Sequence, residues 1–502
     1  MTLRVFLSTS LTVLILQVPI YADDQLGSTM TLDQLRIGTA AVQDKESGPI
    51  YSVQPAAEVV PALKYKLYPA KWELNSGSAL LHLNRALIHW LNVPREKRIQ
   101  WQSSEWLDGK GDGKKPSQQE MEDVVQQLKF LFDELHNLAM SEDFQWDHRL
   151  RDVKGPDVYT YLLPDIQEVR ALARMLNLHI RVQLKNRNFD GAITSISDGI
   201  RLSEFVGQGE TLIQKLVGIA IQSMMREQLT ELIATPGAPN LYWAMAAIPR
   251  PLNGMRDSVM WELGNVTRVL PVLAAAENET WSADSATRRW TSAIEDLEML
   301  TGATGSNSMA ARTAIAIVGA TQADTAKKYL IANGMNQDRV DQMPELQAVL
   351  IQTARELRVL GDDLGKAHLL PSVAARKLAD RQQQIFDDYI QQNRLNSLSA
   401  TIAGLLYPAV LQAAEAETRA EMGFHRLMTV EAIRMYVSEN GVVPNSLDKL
   451  QLAPAFPDPY TGAEFEYSVE ESDKGPIVTL KAAGPTNYPP LMELRIRFES
   501  LK

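Results

Sequence analysis

The chain of 502 residues contains no cysteine. Disulfides, thiol catalysis and lipid attachment through an N-terminal cysteine are therefore excluded. Without disulfides, an exported protein of this size is held by its core alone. Histidine is scarce, at 7 residues. Lys and Arg number 50 against 61 Asp and Glu, a formal net charge of −11, and no long basic block interrupts the mixture. That balance argues against nucleic acid as a partner, because phosphate binding needs a concentrated basic surface, and against an anionic membrane surface. No serine stands in a G-x-S-x-G elbow, so an α/β-hydrolase nucleophile lacks support. Gly302, Gly305 and Gly319 are not followed by Lys-Ser/Thr, so a phosphate-cradling loop lacks it too. Hydrophobic residues at 45% and charged residues at 22% are ordinary for a globular protein.

What is there begins with an export signal. Arg4 supplies a positive start, Val5 to Ile20 an apolar run, and Tyr21-Ala22 a small residue ahead of Asp23-Asp24. The apolar run is shorter than the roughly 20 residues a spanning helix needs. The expected product is periplasmic or extracellular, with no membrane span once residues 1–22 are removed. Ile20 is not the small residue preferred three places before a cut, so an uncleaved anchor is the alternative.

The expected order is a mobile leader over 23–58, a helical body over 59–417 and a small α+β module over 418–502. Alternating apolar and Lys positions from Ala62 to Tyr68 predict a short strand ended by Pro69. Leu80, Leu81, Leu83, Ala86, Leu87 and Trp90 then follow a 3.6-residue period. Residues 101–118 read as a polar loop, and a strong helix is predicted from Ser117. Three successive helices, from Pro164 to about Lys185, from Asp190, and from about Glu210 to Ile233, are joined by short turns and predict antiparallel hairpins. Thr235 to Asn240 is a sharp turn. Periodicity resumes from Leu241, with a Gly/Ser/Thr-rich loop over 301–308. Past Asn440-Gly441 the period changes, and Phe465 to Val469, Ile477 to Leu480 and Leu491 to Phe498 predict three strands. The fold class expected is mainly α, an antiparallel helix-hairpin array or bundle with about three antiparallel strands at the C-terminus.

Candidate sites are few. The Asp108 to Gly113 loop has Asp at positions 1 and 5 and Gly at position 6 of a calcium loop. Lys110 at position 3 and Gln119 at position 12 break the pattern, which favours a solvated turn. His82 and His89 lie two helical turns apart, too far to share one ion. Asp133 and His136 stand at i, i+3, without further ligands in recognisable register. His425-Arg426, near Glu421, is expected to form surface salt bridges. No metal or cofactor is implied. Trp101 and Trp106, in the polar loop, could stack on a sugar or peptide, or fold back as lids on a helical core. Tyr242 and Trp243 start a helix after the sharp turn, and core packing is their expected role, partner contact the alternative.

Three resemblances follow from particular residues. Leu184 to Ile193, with Ile196, Gly199, Ile200 and Leu202, resembles the middle of a tetratricopeptide repeat. It implies a closely packed helix hairpin rather than a peptide-binding array. Thr401 to Ala409, the helix to Tyr436, Glu439 to Leu447 and Pro457-Asp458-Pro459-Tyr-Thr-Gly462 are similar to a type IV pilin or pseudopilin. No prepilin cleavage motif precedes the helix, so that resemblance implies only a small α+β shape with a turn at Asp458 and Gly462. Leu163-Pro-Asp165 with Ala171-Leu-Ala173, Gly209 to Ile213 with Leu216 to Ile219, and Pro236 to Ala244 together resemble a family of exported helical proteins abundant in planctomycete bacteria. This last resemblance spans most of the chain and implies no activity. The expectation is a non-catalytic helical scaffold of the cell envelope that presents a surface to another envelope or secreted protein. The alternative is a ligand-binding or hydrolase-like enzyme using dispersed acidic residues with His136 or His148.

Overall fold

The structure is a computed structural model. It describes residues 49–499 except 108, 110–111, 147, 161–163, 302–318, 320, 371, 394–396 and 484–492. The expected signal peptide, residues 23–48 of the expected leader and most of the 301–308 loop lie outside the described residues, as do three residues of the Asp108 loop.

Helix α1 (Ala79–Leu91) buries Leu83, Ala86, Leu87 and Trp90, the apolar stripe its 3.6-residue period demands. The helix expected from Ser117 is two helices, α2 (Gln118–Gln127) and α3 (Lys129–Ala139). Ser117 and Glu120 cap α2 reciprocally, each side chain meeting the other's backbone N–H. α4 (Pro164–Lys185) opens at its proline and ends just before the Asn186 to Asn188 turn, where the Asn188 side chain caps α5 (Phe189–Gly207). Thr211 does the same for α6 (Leu212–Ala234). The α4–α5–α6 sequence is therefore a run of antiparallel hairpins. Its closest approach is between α5 and α6, where a Cβ on Gly199 would overlap the Met225 thioether. A short α7 (Tyr242–Ala246) follows. Then come α8 (Arg256–Gly264), α9 (Pro271–Asn278), α10 (Ala283–Thr301), an unlabelled helix over 321–332, α11 (Glu345–Gly365), α12 (Ser372–Asn393) and α13 (Leu398–Leu406). Last is α14 (Pro408–Asn440), ended by Gly441 in the left-handed region at φ 70°.

α6 explains how these parts hold together. Its Leu212 and Ile219 enter a core built from α8 to α13. Val217 and Ile221 enter a second core with α1 to α4. Met225, Leu229, Leu232 and Ile233 enter a third with α14 and the C-terminal sheet. Its apolar residues thus face several neighbours at once, while Glu231 near its C-terminal end stays exposed.

Three C-terminal strands form antiparallel pairs as expected, and a fourth strand joins them. Strand β1 (Ile50–Val53) lies in parallel beside β6 (Glu493–Phe498), giving the order β1-β6-β5-β4 with β5 (Ile477–Lys481) and β4 (Glu466–Glu470). Residues 50–53 were expected in a mobile leader. Instead their period-2 alternation places Tyr51 and Val53 on the buried face, in register with Ile496 and Phe498. The expected boundary near residue 417 is likewise crossed by α14, and the sheet shares its core with α5 and α6. The Ala62 to Tyr68 strand is not formed. That segment turns, with the Lys64 N–H donating to Pro61 O at 2.9 Å; Leu67 is buried, and Tyr65 and Tyr68 pack partly buried against the core. Alternation without a neighbouring strand to complete a ladder does not hold a chain extended. The remaining two strands, β2 (Asn75–Ser78) and β3 (Ser141–Asp143), make a small parallel pair.

Candidate functional site

Trp101 and Trp106 stand at or near the ends of two short helices, Arg95–Trp101 and Ser104–Leu107, where a polar loop was expected. They are only 3% and 7% exposed and pack into the core of α1 to α4. Their indoles are thus lids on that core and are not open to stack on a ligand, because burying so much apolar area outweighs the polar flanks. Tyr242 is 1% exposed, and its hydroxyl donates to Pro454 O at 2.7 Å. Trp243 is half-buried, with its indole N–H donating to Glu58 Oε1 at 2.7 Å.

The histidines are dispersed among separate partners. His82 Nδ1 meets Glu134 Oε2 at 2.6 Å, and His89 packs on Phe130. His136 Nδ1 lies 3.0 Å from Asp198 Oδ1, and that hydrogen bond raises the imidazole pKa. Asp133, its neighbour at i−3, pairs instead with Lys129 Nζ at 2.6 Å. His179 stacks on Phe132 and is pushed down to about 4 by burial. His148 stacks on Trp146, whose N–H donates to Phe205 O. Among the described residues no three His, Asp or Glu side chains are placed to hold a metal ion.

Sequence reasoning missed the polar face of α14. His425 and Arg426, expected in surface salt bridges, are buried, as are Glu431 and Arg434. Polar residues on a long helix read as a solvated face, and nothing local reveals that α6, α7 and the sheet close over them. Glu431 and Arg434 form an ion pair at 2.6 Å. Arg434 donates further to Gln54 O at 2.8 Å and to Ala238 O at 3.0 Å, and Glu431 accepts the Leu241 N–H at 2.9 Å. The pair therefore locks β1's exit and the 235–241 turn onto α14, which is why that Pro/Gly-rich turn is rigid.

About four helical turns earlier on α14, Glu417 accepts the Met255 N–H at 2.6 Å. Glu421, beside it, is raised to about 7 by burial and by Glu417, against the opposing charge of Arg250. His425 Nδ1 meets Pro457 O at 2.7 Å, so Nδ1 carries the proton, and the buried Nε2 has no partner. Burial lowers the His425 pKa. Glu421, His425, Arg250, Gln222 and Phe424 line a crevice of about 10 Å³, roughly room for one water molecule.

A concavity of about 490 Å³ lies on the outer face of the sheet. Strand alternation sets its chemistry: Val478, Leu480, Ile496 and Phe498 point into the core, while Glu466, Ser468, Glu470, Thr479, Lys481, Glu493 and Arg495 line the opposite face. Register places Glu466, Lys481 and Glu493 in one cross-strand row and Ser468, Thr479 and Arg495 in the next. Lys481 Nζ lies 3.5 Å from Glu466, and Arg495 Nη2 lies 3.7 Å from Glu470. These are half-open contacts of modest strength, readily exchanged for a partner's charges. The expected turn below the sheet is present. Asp458 O accepts the Gly462 N–H at 2.7 Å, and Gly462 has φ 73°.

The fold and these surfaces define a mainly helical protein with a small C-terminal sheet. No family model, curated protein or solved structure matches the chain. Among the described residues no helix is long and apolar enough to cross a membrane.

Proposed function

We propose that this is an exported, non-catalytic scaffold of the cell envelope that presents the charged outer face of its C-terminal sheet to another envelope or secreted protein. The observation that carries this reading is a difference of scale. The sheet face offers about 490 Å³ of open, mixed-charge relief, whereas the crevice at Glu421 and His425 has room for about one water. Mixed charges on a rigid sheet suit recognition, since complementary potentials give specificity and speed of encounter. The type IV pilin-like order of long helix, turn and antiparallel sheet fits the same reading, as does the resemblance to exported planctomycete proteins. Affinity purification from envelope extract tests it. A defined partner recovered with the wild type and lost with Lys481→Glu/Arg495→Glu is expected; recovery of the protein alone would overturn the proposal.

A second reading rests on Glu421 and His425. A carboxyl raised to about 7 beside an imidazole with an unpartnered nitrogen is a common acid–base arrangement. It would make the protein a ligand-binding or hydrolase-like enzyme, provided the crevice opens further. A substrate-dependent turnover abolished by both Glu421→Gln and His425→Gln would favour it over the scaffold.

A further inference from the structure

β4 is the last strand of the sheet, and among the described residues only β5 pairs with it. The ladder fixes which of its backbone groups lie on the open side. The Phe498 N–H donates to Pro476 O at 3.0 Å, so on β5 Val478 and Leu480, in step with Pro476, turn their backbone groups toward β6. Ile477, Thr479 and Lys481 therefore serve β4, where their partners are Glu470, Ser468 and Glu466. The N–H and C=O groups of Tyr467 and Val469 are left pointing away from the sheet, and no other described group bonds to them. A row of unpaired backbone donors and acceptors is a template for one more strand.

The two faces of that edge differ in chemistry. On the outer face stand Glu466 and Glu470, and exposed Glu464, Glu471 and Asp473 continue the acid beyond the strand's ends. Lys474 is the single cation between residues 464 and 474. The contacts of Glu466 and Glu470 with Lys481 and Arg495, at 3.5 and 3.7 Å, leave both carboxylates exposed. On the inner face Tyr467 packs against the core, and its hydroxyl donates to Pro444 O at 2.6 Å. Val469 remains 36% exposed, and Val442, two residues before Pro444, is 58% exposed. The core runs out at β4 with apolar surface still uncovered.

We infer that the open edge of β4 takes up an extended segment of another protein as a fifth strand, one in which Lys or Arg alternates with aliphatic residues. The inference rests on the scaffold reading and names the chemistry of its partner. The segment's backbone pairs with Tyr467 and Val469, its basic side chains lie over Glu466 and Glu470, and its aliphatic ones cover Val469. The acid selects among strands. A second copy of β4 sets glutamate against glutamate, which is repulsive, while a basic segment gains from the same charges.

The test is fluorescence anisotropy of a labelled, end-blocked heptapeptide of alternating Lys and Val, titrated with the purified protein. Saturable binding is expected, with the peptide carrying Glu for Lys bound more weakly by roughly tenfold or more. Val469→Pro removes one outward N–H and leaves the β5 ladder whole, a substitution that an edge strand tolerates. It should weaken binding by roughly tenfold. Val469→Thr keeps that N–H and should weaken binding by about twofold at most. On the wild-type chain, N-methylation of the peptide at alternate residues should abolish binding in one frame and spare it in the other. That arm decides should the proline variant fail to fold. An absence of binding overturns the inference, as does binding indifferent to Val469→Pro and to N-methylation in both frames. Equal binding of the Glu peptide overturns it too, and so does a dimer of the protein that Val469→Pro dissociates. The scaffold reading fails separately, on recovery of the protein alone from envelope extract.

Discussion

Glu421 and Arg434 sit on the same helix and meet burial in opposite ways. Glu421 has no matched partner, and burial with a neighbouring Glu417 lifts its pKa from 4.5 to about 7. A raised carboxyl favours the folded state while protonated. Its contribution is complete below about 4.5, is lost as pH rises through about 7, and is absent above that. Glu421→Gln should therefore melt higher than wild type at pH 8, by roughly 2–4 °C, with the gain vanishing at pH 4.5. A constant difference at both pH values, followed by circular dichroism, would count against it. Arg434 instead has all its directions used, by Glu431, Gln54 O and Ala238 O. Arg434→Met leaves Glu431 buried and unpaired and should cost about 3–5 kcal/mol in chemical denaturation. The double variant with Glu431→Leu should recover part of that loss, because it removes the orphaned charge.

At the scale of elements, α6 is the member on which three cores meet. Leu229→Ala removes a fully buried side chain and should lower stability by about 2–5 kcal/mol. Because Ile219 and Val217 couple the other cores through the same helix, tryptophan fluorescence from the α1 to α4 region and proteolysis of the α8 to α13 region should both shift to lower temperature. A shift confined to one region would show that α6 does not couple them. Elements of this kind were legible in the sequence wherever local chemistry decides. α4 announces its start at Pro164 and its end at Asn186, and β4 to β6 declare themselves by alternation between turn residues. What decides the rest is distant. Ile50 to Val53 became a strand only because β6, over four hundred residues later, offers an edge. Ala62 to Tyr68 alternates as well but finds no such edge.

The same limit applies to the site at the scale of the whole molecule. Trp101 and Trp106 have polar neighbours in sequence and apolar neighbours in space, so composition left ligand stacking open beside the lid role, and packing decides for the lid. His425 and Arg426 look like a solvated helix face until α6, α7 and the sheet enclose it. The sheet's outer face could have been traced from the alternation of Glu466, Ser468, Glu470, Thr479, Lys481 and Arg495, but its concavity arises from the pairing of three strands. With the helical cores behind it and charges of both signs in front, this sheet is the surface that the scaffold reading requires. The direct test places a photo-reactive residue at Ser468 on that face, and a control at the exposed Trp72, which does not line it, in intact cells. A single dominant adduct from Ser468, absent from Trp72 and suppressed by Lys481→Glu/Arg495→Glu, is the expected result. Equal labelling from both positions, or an adduct indifferent to the charge reversal, would contradict the account.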